Sequence, residues 1–205
     1  MSLDPINELA ELFRRLPGIG PRQAKRFVYY LLNADPATVT KLTDLLGRLR
    51  SQVKQCPDCQ IYFASDNKNE RCITCRDTTR DHSLLMIMEK DVDLEPMRRA
   101  GVYSGYYFFL GGLVPILDKE PARRVRLAAL LRLIESKNKE LKEIIIALAT
   151  NGEGENTVDY LRQSLKSLVE KYDLKLSLLG RGLSTNSELE YTDPETISYA
   201  FKNRG

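Results

Sequence analysis

The sequence predicts a multi-part α/β protein: a helical N-terminal region, a small four-cysteine segment, a parallel sheet flanked by helices, and a C-terminal helical tail. Three observations carry that reading. Apolar residues recur at helical spacing from Pro5 to about Lys54. All four cysteines fall in two Cys-x-x-Cys knuckles between Cys56 and Cys75. From Leu84 onward, short apolar runs alternate with amphipathic stretches, the pattern of parallel strands covered by helices on both faces.

In the first region, Ile6, Leu9, Leu12, Phe13 and Leu16 mark a helix over Pro5–Arg15, with Asp4 as N-cap and Pro5 at its first position. A second helix follows Leu16-Pro17-Gly18-Ile19-Gly20-Pro21, with Ala24, Phe27, Val28, Leu31 and Leu32 as its expected inner face. Asp35-Pro36 opens a third, carrying Val39, Leu42, Leu45, Leu46 and Leu49 to about Lys54. Helix, Leu-Pro-Gly-Ile-Gly, helix resembles the helix-hairpin-helix motif. Gly18 and Gly20 permit backbone angles closed to other residues and leave no side chain in the way. Backbone N–H groups at the hairpin and at the start of the second helix can then meet a phosphate. Ile19 is expected to plug the gap between the helices. Arg22, Lys25 and Arg26 follow within about one turn and can neutralise neighbouring phosphates. Such contacts read the backbone rather than the bases, so sequence-independent binding is expected.

Cys56-Pro57-Asp58-Cys59, twelve residues, then Cys72-Ile73-Thr74-Cys75 supply four soft thiolates from two tight turns, the donor set and spacing of a closed structural zinc site. Ser65, Asp66, Asn67 and Asn69 suit a loop tip. The segment has too few apolar residues for a core of its own, so a metal has to hold it. Two disulfides are disfavoured in a reducing cytosol, and a redox dithiol normally occurs once, beside a thioredoxin-like pattern.

After the cysteines, Leu84–Met88 reads as a buried strand, Val92–Arg99 as a short helix stopped at Gly101, and Tyr106–Leu110 as a second strand. Arg123–Glu135 is an expected helix, Ile144–Ala149 a third strand, Thr157–Tyr172 a helix, Leu174–Leu179 a fourth strand, and Pro194–Phe201 a final helix capped by Asp193. His82 is expected in a surface or packing role. Tyr103, Tyr106, Tyr107, Phe108 and Phe109 are expected to pack a strand, and Arg123, Arg124 and Arg126 to form the solvated face of a helix.

The totals add bounds. The chain has 205 residues and a net charge of +3. Nine Lys/Arg against five acids in residues 1–54 make that stretch +4 and leave −1 for the rest, a pointer to an anionic partner. No apolar run is long enough to span a membrane, and the N-terminus lacks a signal-peptide pattern, so a cytoplasmic location is expected.

Ligand chemistry in a parallel sheet sits beyond the carboxyl ends of the strands. Glu89, Gly111-Gly112 and Ala149-Thr150-Asn151-Gly152-Glu153-Gly154-Glu155 converge there. The set resembles the Toprim domain of primases, topoisomerases and related nucleases, in which a glutamate and an Asp-x-Asp hold magnesium. Here Asn151 replaces the first aspartate and the second has no counterpart, so the magnesium centre reads as degenerate. A magnesium-dependent Toprim nuclease or primase is the competing function.

Hairpin, four-cysteine segment, Toprim and C-terminal segment occur in the order of the RecR family of bacterial recombination mediators. The resemblance is carried by Leu16-Pro-Gly-Ile-Gly-Pro-Arg22, both cysteine knuckles, Gly111-Gly112, Ala149-Thr-Asn151, Glu153-Gly-Glu155, Arg181-Gly182-Leu183 and Leu189-Glu-Tyr191-x-Asp193. One departure is a loop two residues shorter than the family's between Asn151 and Glu153. The resemblance implies four parts: a helix-hairpin-helix DNA-binding region over 1–54, a four-cysteine zinc finger over 55–79, a Toprim domain over 80–176 and an oligomerising C-terminal segment over 177–205. It implies a non-catalytic, ring-shaped homo-oligomer, commonly a tetramer, through which single- or double-stranded DNA passes. It further implies one structural zinc per chain on Cys56, Cys59, Cys72 and Cys75, DNA contacts from Gly18, Gly20, Arg22, Lys25 and Arg26, and a partner face including Glu89, Asn151, Glu153 and Glu155. The implied partners are RecO and, in some bacteria, RecF, acting together to displace single-strand-binding protein and load RecA.

Overall fold

The computed structural model describes residues 4–65 and 68–180 together with Pro194 and Thr196. The chain divides into two compact units, Met1–Val53 and Lys54–Gly205. The first holds three helices, α1 (Pro5–Arg14), α2 (Pro21–Asn33) and α3 (Pro36–Gln52). Each begins with a proline, whose missing N–H costs nothing in a first turn. Asp4 and Asp35 cap α1 and α3, accepting from the Ile6 and Thr38 amides at 3.1 Å each. The core here is small: Ala10, Ala24 and Val28, with Ile6, Leu9, Phe13 and Ile19 packed against it.

The expected inner face of α2 needs correction. Ala24 and Val28 are buried, but Leu32 is exposed, and Phe27 is largely open although it meets Phe13 edge-on at 5.8 Å between centroids. Ala10 and Ala24 are small residues at the packed α1–α2 contact, and Leu32 lies about two turns beyond Ala24. In α3 no residue is buried, and Leu42, Leu45, Leu46 and Leu49 are all exposed.

β1 (Val53–Gln55) begins at the last residue of the first unit and pairs with β2 (Tyr62–Ala64) in a two-stranded ribbon, followed by one turn of helix, α4 (Ile73–Arg76). Then come β3 (Asp81–Met88), a 3-10 turn over Asp91–Asp93, α5 (Leu94–Ala100), β4 (Gly105–Phe109), a 3-10 turn over Pro121–Arg123, α6 (Leu127–Ser136), β5 (Glu143–Ala147), α7 (Gly152–Tyr172) and β6 (Lys175–Leu178). The strands lie in the order β4-β3-β5-β6 with every pairing parallel, Leu85 standing opposite both Tyr106 and Ile144.

Alternation along the strands feeds two cores. Leu85, Ile87, Tyr106, Phe108, Ile144 and Ile146 pack with α6 and α7. Met86, Met88, Tyr107 and Phe109 face the other way, onto Leu94 of α5 and onto Cys56, Cys59 and Cys72. The sheet is thus covered on both faces, as its continuous apolar strands require, with the cysteine segment forming part of one cover. Gly101 ends α5 at φ +65°, in the left-handed region.

Several boundaries move. β3 begins at Asp81 rather than Leu84, α6 at Leu127 rather than Arg123, and α7 at Gly152 rather than Thr157. The expected C-terminal helix falls outside the described residues except for Pro194 and Thr196, both helical. The motifs between Arg181 and Asp193 lie outside them too. Among the described residues no helix is long and apolar enough to cross a membrane.

Candidate nucleic-acid interface and metal centre

The hairpin sits between α1 and α2. Gly18 adopts φ +76°, which favours glycine, while Ile19 packs against the small core. Gly20 differs from the expectation: its φ of −83° is open to any residue. A Cβ at Gly20 would meet nothing within 4 Å, so packing within the chain does not require glycine there. It is also the N-cap of α2, and it brings no side chain to the free amides of the first turn, which contains no acidic residue. Arg22, Lys25 and Arg26 follow, all exposed. The α2 N-terminus therefore presents amide donors, the positive end of the helix dipole and three cations together, a surface suited to phosphate.

The four cysteines come together, with all four Sγ atoms within 4.8 Å of one another. None is disulfide-bonded, and Cys56, Cys59 and Cys72 are buried. A tetrahedron with Zn–S of about 2.3 Å places its sulfurs about 3.8 Å apart, and the Cys59–Cys72 separation is 3.5 Å. The first knuckle closes through hydrogen bonds from Cys56 N to Ile61 O and from Gln60 N to Cys56 O, both 2.9 Å, with Gln60 at φ +68°. The Cys72 amide points at Cys56 Sγ from 3.5 Å. Hydrogen bonding between Cys56 and Cys59 drives the two thiols apart, Cys56 well below and Cys59 well above the ordinary range. All four could be thiolates at this spacing only with a cation between them. The set fits a soft dication.

At the carboxyl ends of the strands the expected residues take separate jobs. Glu89 is mostly buried at the end of β3 and pairs with Lys90 Nζ at 2.6 Å. Asn151 is the N-cap of α7, its Oδ1 accepting from Gly154 N at 2.8 Å. Gly154 is there because a Cβ would fall 1.8 Å from the Ala149 carbonyl oxygen. Glu153 and Glu155 occupy the first turn of α7, where acidic side chains suit the helix dipole. Among the described residues, the cysteines form the one group of three or more potential metal ligands that comes together.

The expected solvated arginine face is corrected. Arg123 and Arg124 precede α6, pairing with Glu120 at 2.8 Å and Asp118 at 2.5 Å. Arg126 is half-buried, and its Nη1 donates to the carbonyls of Gln60 and Phe109, both at 3.1 Å. A Cβ on Gly111, which sits at φ +85°, would meet the Arg126 guanidinium at 2.9 Å. Phe109 N also donates to Cys59 O at 2.9 Å. Arg126 thus ties the first cysteine knuckle to the end of β4. The sequence reading passed over Asn156 and Thr157 as well. Thr157 Oγ1 accepts from Val114 N at 2.8 Å and Asn156 Nδ2 donates to Val114 O at 3.0 Å, fixing the loop after β4 to α7. Their signal was a pair of polar residues at the head of an amphipathic helix, one of them wholly buried. His82 bridges Glu140 at 2.8 Å and the Tyr106 hydroxyl at 3.0 Å, a packing role at the amino end of β3.

Comparison with known proteins agrees with this layout. Residues 6–49 match the family described as RecR, helix-hairpin-helix, residues 83–179 the Toprim domain, and residues 182–204 RecR, C-terminal. A protein named Recombination protein RecR from Nocardioides sp. is 34% identical over 200 residues, covering 97% of this chain and 95% of its own length. Its namesake from Dehalococcoides mccartyi is 32% identical over 199 residues, with 97% and 93% covered. That from Francisella tularensis subsp. novicida is also 32% identical over 199 residues, with 97% and 94% covered.

Proposed function

The chain belongs to the RecR family of recombination proteins, and from that premise we propose that it is a DNA-binding recombination mediator of DNA repair, working in the cytoplasm without making or breaking a bond. The observation that carries the reading is the bare start of α2. Asp4, Asp35 and Asn151 cap α1, α3 and α7 with side-chain oxygens, whereas Gly20 leaves the α2 amides free beside Arg22, Lys25 and Arg26. With Gly18 and Gly20, these residues form the proposed site for DNA phosphates, single- or double-stranded and independent of sequence.

Four further assignments belong to the same reading. Zinc, one per chain, is the ion held by Cys56, Cys59, Cys72 and Cys75, since four thiolates in a closed tetrahedron suit it. The four-part division at residues 54, 79 and 176 separates DNA binding, zinc, Toprim and assembly. The protein acts as a homo-oligomer, a ring most simply built as a tetramer, because α3 carries four exposed leucines that a second copy can cover. The carboxyl end of the sheet, with Glu89, Asn151, Glu153 and Glu155, receives RecO, with RecF where it is present, in displacing single-strand-binding protein and loading RecA. Magnesium catalysis is disfavoured because Asn151 is engaged as a helix cap and Glu89 as the partner of Lys90.

The test is Arg22→Glu with Arg26→Glu. The residues stand one turn apart on an exposed stretch of α2, so zinc content and assembly mass should match the wild type. Binding to unrelated DNA sequences should be abolished in the double variant and should fall steeply with salt in the wild type. Undiminished binding by the well-folded variant sinks the hairpin assignment. Magnesium-dependent cleavage or primer synthesis that disappears in Glu89→Gln sinks the non-catalytic one.

A further inference from the structure

A cavity of about 310 Å3 opens on the sheet unit among β2, α4 and α5. Tyr62, Phe63 and Ile73 give it an aromatic and apolar lining; Asn69, Arg76 and Arg98 give it a polar one. Tyr62 and Ile73 are 57% and 71% exposed, unusual for such side chains on a segment whose other apolar residues pack against the sheet. Among the described residues no carboxylate lines the cavity. Three nearby acids are engaged elsewhere: Asp58 with Arg71 at 3.1 Å, Asp77 with the Thr79 hydroxyl at 2.6 Å, Glu95 with Arg99 at 3.8 Å. Among the described residues neither Arg76 nor Arg98 forms an ion pair. Arg98 is held in place, since its Nη2 donates to the hydroxyl of buried Thr74 at 3.0 Å.

The Arg126 guanidinium stands over the Tyr62 ring, 6.0 Å from its centroid, so a base would meet the opposite face. An exposed ring that lines one cavity with two guanidiniums outside any ion pair is the pairing that single-stranded nucleic acid satisfies, with a base on the aromatic face and flanking phosphates on the arginines. The volume is at the low end for ligand pockets, roughly 300–1,000 Å3, which suits one nucleotide rather than a longer segment. A duplex is a poor fit, because its bases are stacked and paired internally. We infer that this cavity is a single-strand subsite on the cysteine segment, in which a base stacks on Tyr62 while Arg76 and Arg98 take the adjacent phosphates. The inference shares only its class of ligand with the DNA-mediator reading and uses none of the hairpin residues.

The experiment follows binding of a labelled oligothymidylate and of a duplex, across a salt series, for the full-length protein and two variants. Arg76→Gln with Arg98→Gln should weaken single-strand binding about tenfold and flatten its log–log salt slope by about 1.4, two contacts at about 0.7 each. Tyr62→Ala should weaken it at least about fivefold and leave the slope unchanged. Duplex affinity and zinc content should stay as in the wild type for both. A 4-thiothymidine oligonucleotide should photo-crosslink to the peptide containing Tyr62, also in the Arg22→Glu, Arg26→Glu background, which separates this site from the hairpin. Unchanged single-strand affinity in both variants overturns the inference. So does an equal loss for duplex and single strand. Loss of zinc from the arginine variant would make these residues counter-charges to the thiolates. Binding of a poly-glutamate peptide that depends on both arginines, with oligothymidylate unaffected, would assign the cavity to an acidic protein instead.

Discussion

The two units of the chain bury their apolar residues very differently. The sheet unit closes on itself: alternate strand residues feed one core against α6 and α7 and another against α5 and the cysteines. The hairpin unit has a core of three small residues and leaves every leucine of α3 open. The sheet unit too leaves some apolar residues open, Ile73, Val102 and Leu117 among them, but its two cores let it serve as a scaffold; a unit with almost no core of its own is built to be completed by something else. The cysteine cluster sharpens the contrast, because the sheet unit draws part of its cover from the segment that carries it.

The largest expected effect comes from that dependence. On the proposed zinc assignment, Cys72→Ser should release the metal and destabilise the sheet unit by more than about 4 kcal/mol, because Cys72 belongs to the core with Met86 and Phe109. Metal analysis with thermal unfolding checks this; a variant that keeps both its metal and its melting temperature would show that the cysteines are only packing. Next is the opposite unit. Leu46→Glu with Leu49→Glu should cost association about 6 kcal/mol or more, counting two leucines on each side of a symmetric contact at about 1.5–3 kcal/mol apiece. Light scattering should show a smaller assembly with helix content intact, and an unchanged mass would mean that α3 is not an interface.

Gly154→Ala should cost about 3 kcal/mol in urea unfolding, because the new Cβ displaces the Ala149 carbonyl that precedes α7. Asn151→Ala should cost about 1 kcal/mol as a lost N-cap, and Asn151→Asp should restore it. If Asn151→Asp instead proves much worse than Ala, capping is not what this residue does. The smallest effect is a pH response. The Ser177 hydroxyl at 2.6 Å and Lys175 at 3.1 Å hold the Glu143 carboxyl below its ordinary value. Its contribution is therefore present above the ordinary glutamate range near ~4.3 and is lost as pH falls through the lower folded value. Glu143→Gln should flatten the acid limb of the stability curve, and an unaltered limb would remove Glu143 from the account.

What could be read in advance followed the reach of each interaction. β3, β4 and β5 were legible because they appear as unbroken apolar runs, and edge strand β6, with no buried residue, by its alternation of Lys175, Leu176, Ser177 and Leu178. Knuckle spacing announced the cysteine cluster, and Gly18 its left-handed turn. The start of α7 was missed because Gly152 and Gly154 are poor helix formers and the apolar period begins only at Thr157. That displaced Asn151 from a helix cap to a loop. Arg126 was misread because its acceptors, Gln60 and Phe109, lie far away in sequence and nothing local announces them. The spacing of the α3 leucines announced a helix over Pro36–Gln52; spacing does not say what covers them.

Arg126 also sets a limit on modularity. Its guanidinium reaches the cysteine knuckle through Gln60, the strand end through Phe109, and leaves room for nothing larger than glycine at position 111. The cysteine segment is therefore not a cassette. A chimera that grafts residues 53–76 from a relative should function as a transplant only when Gly111 and Arg126 travel with it, because the graft's boundary runs through three stretches of chain rather than two cut points.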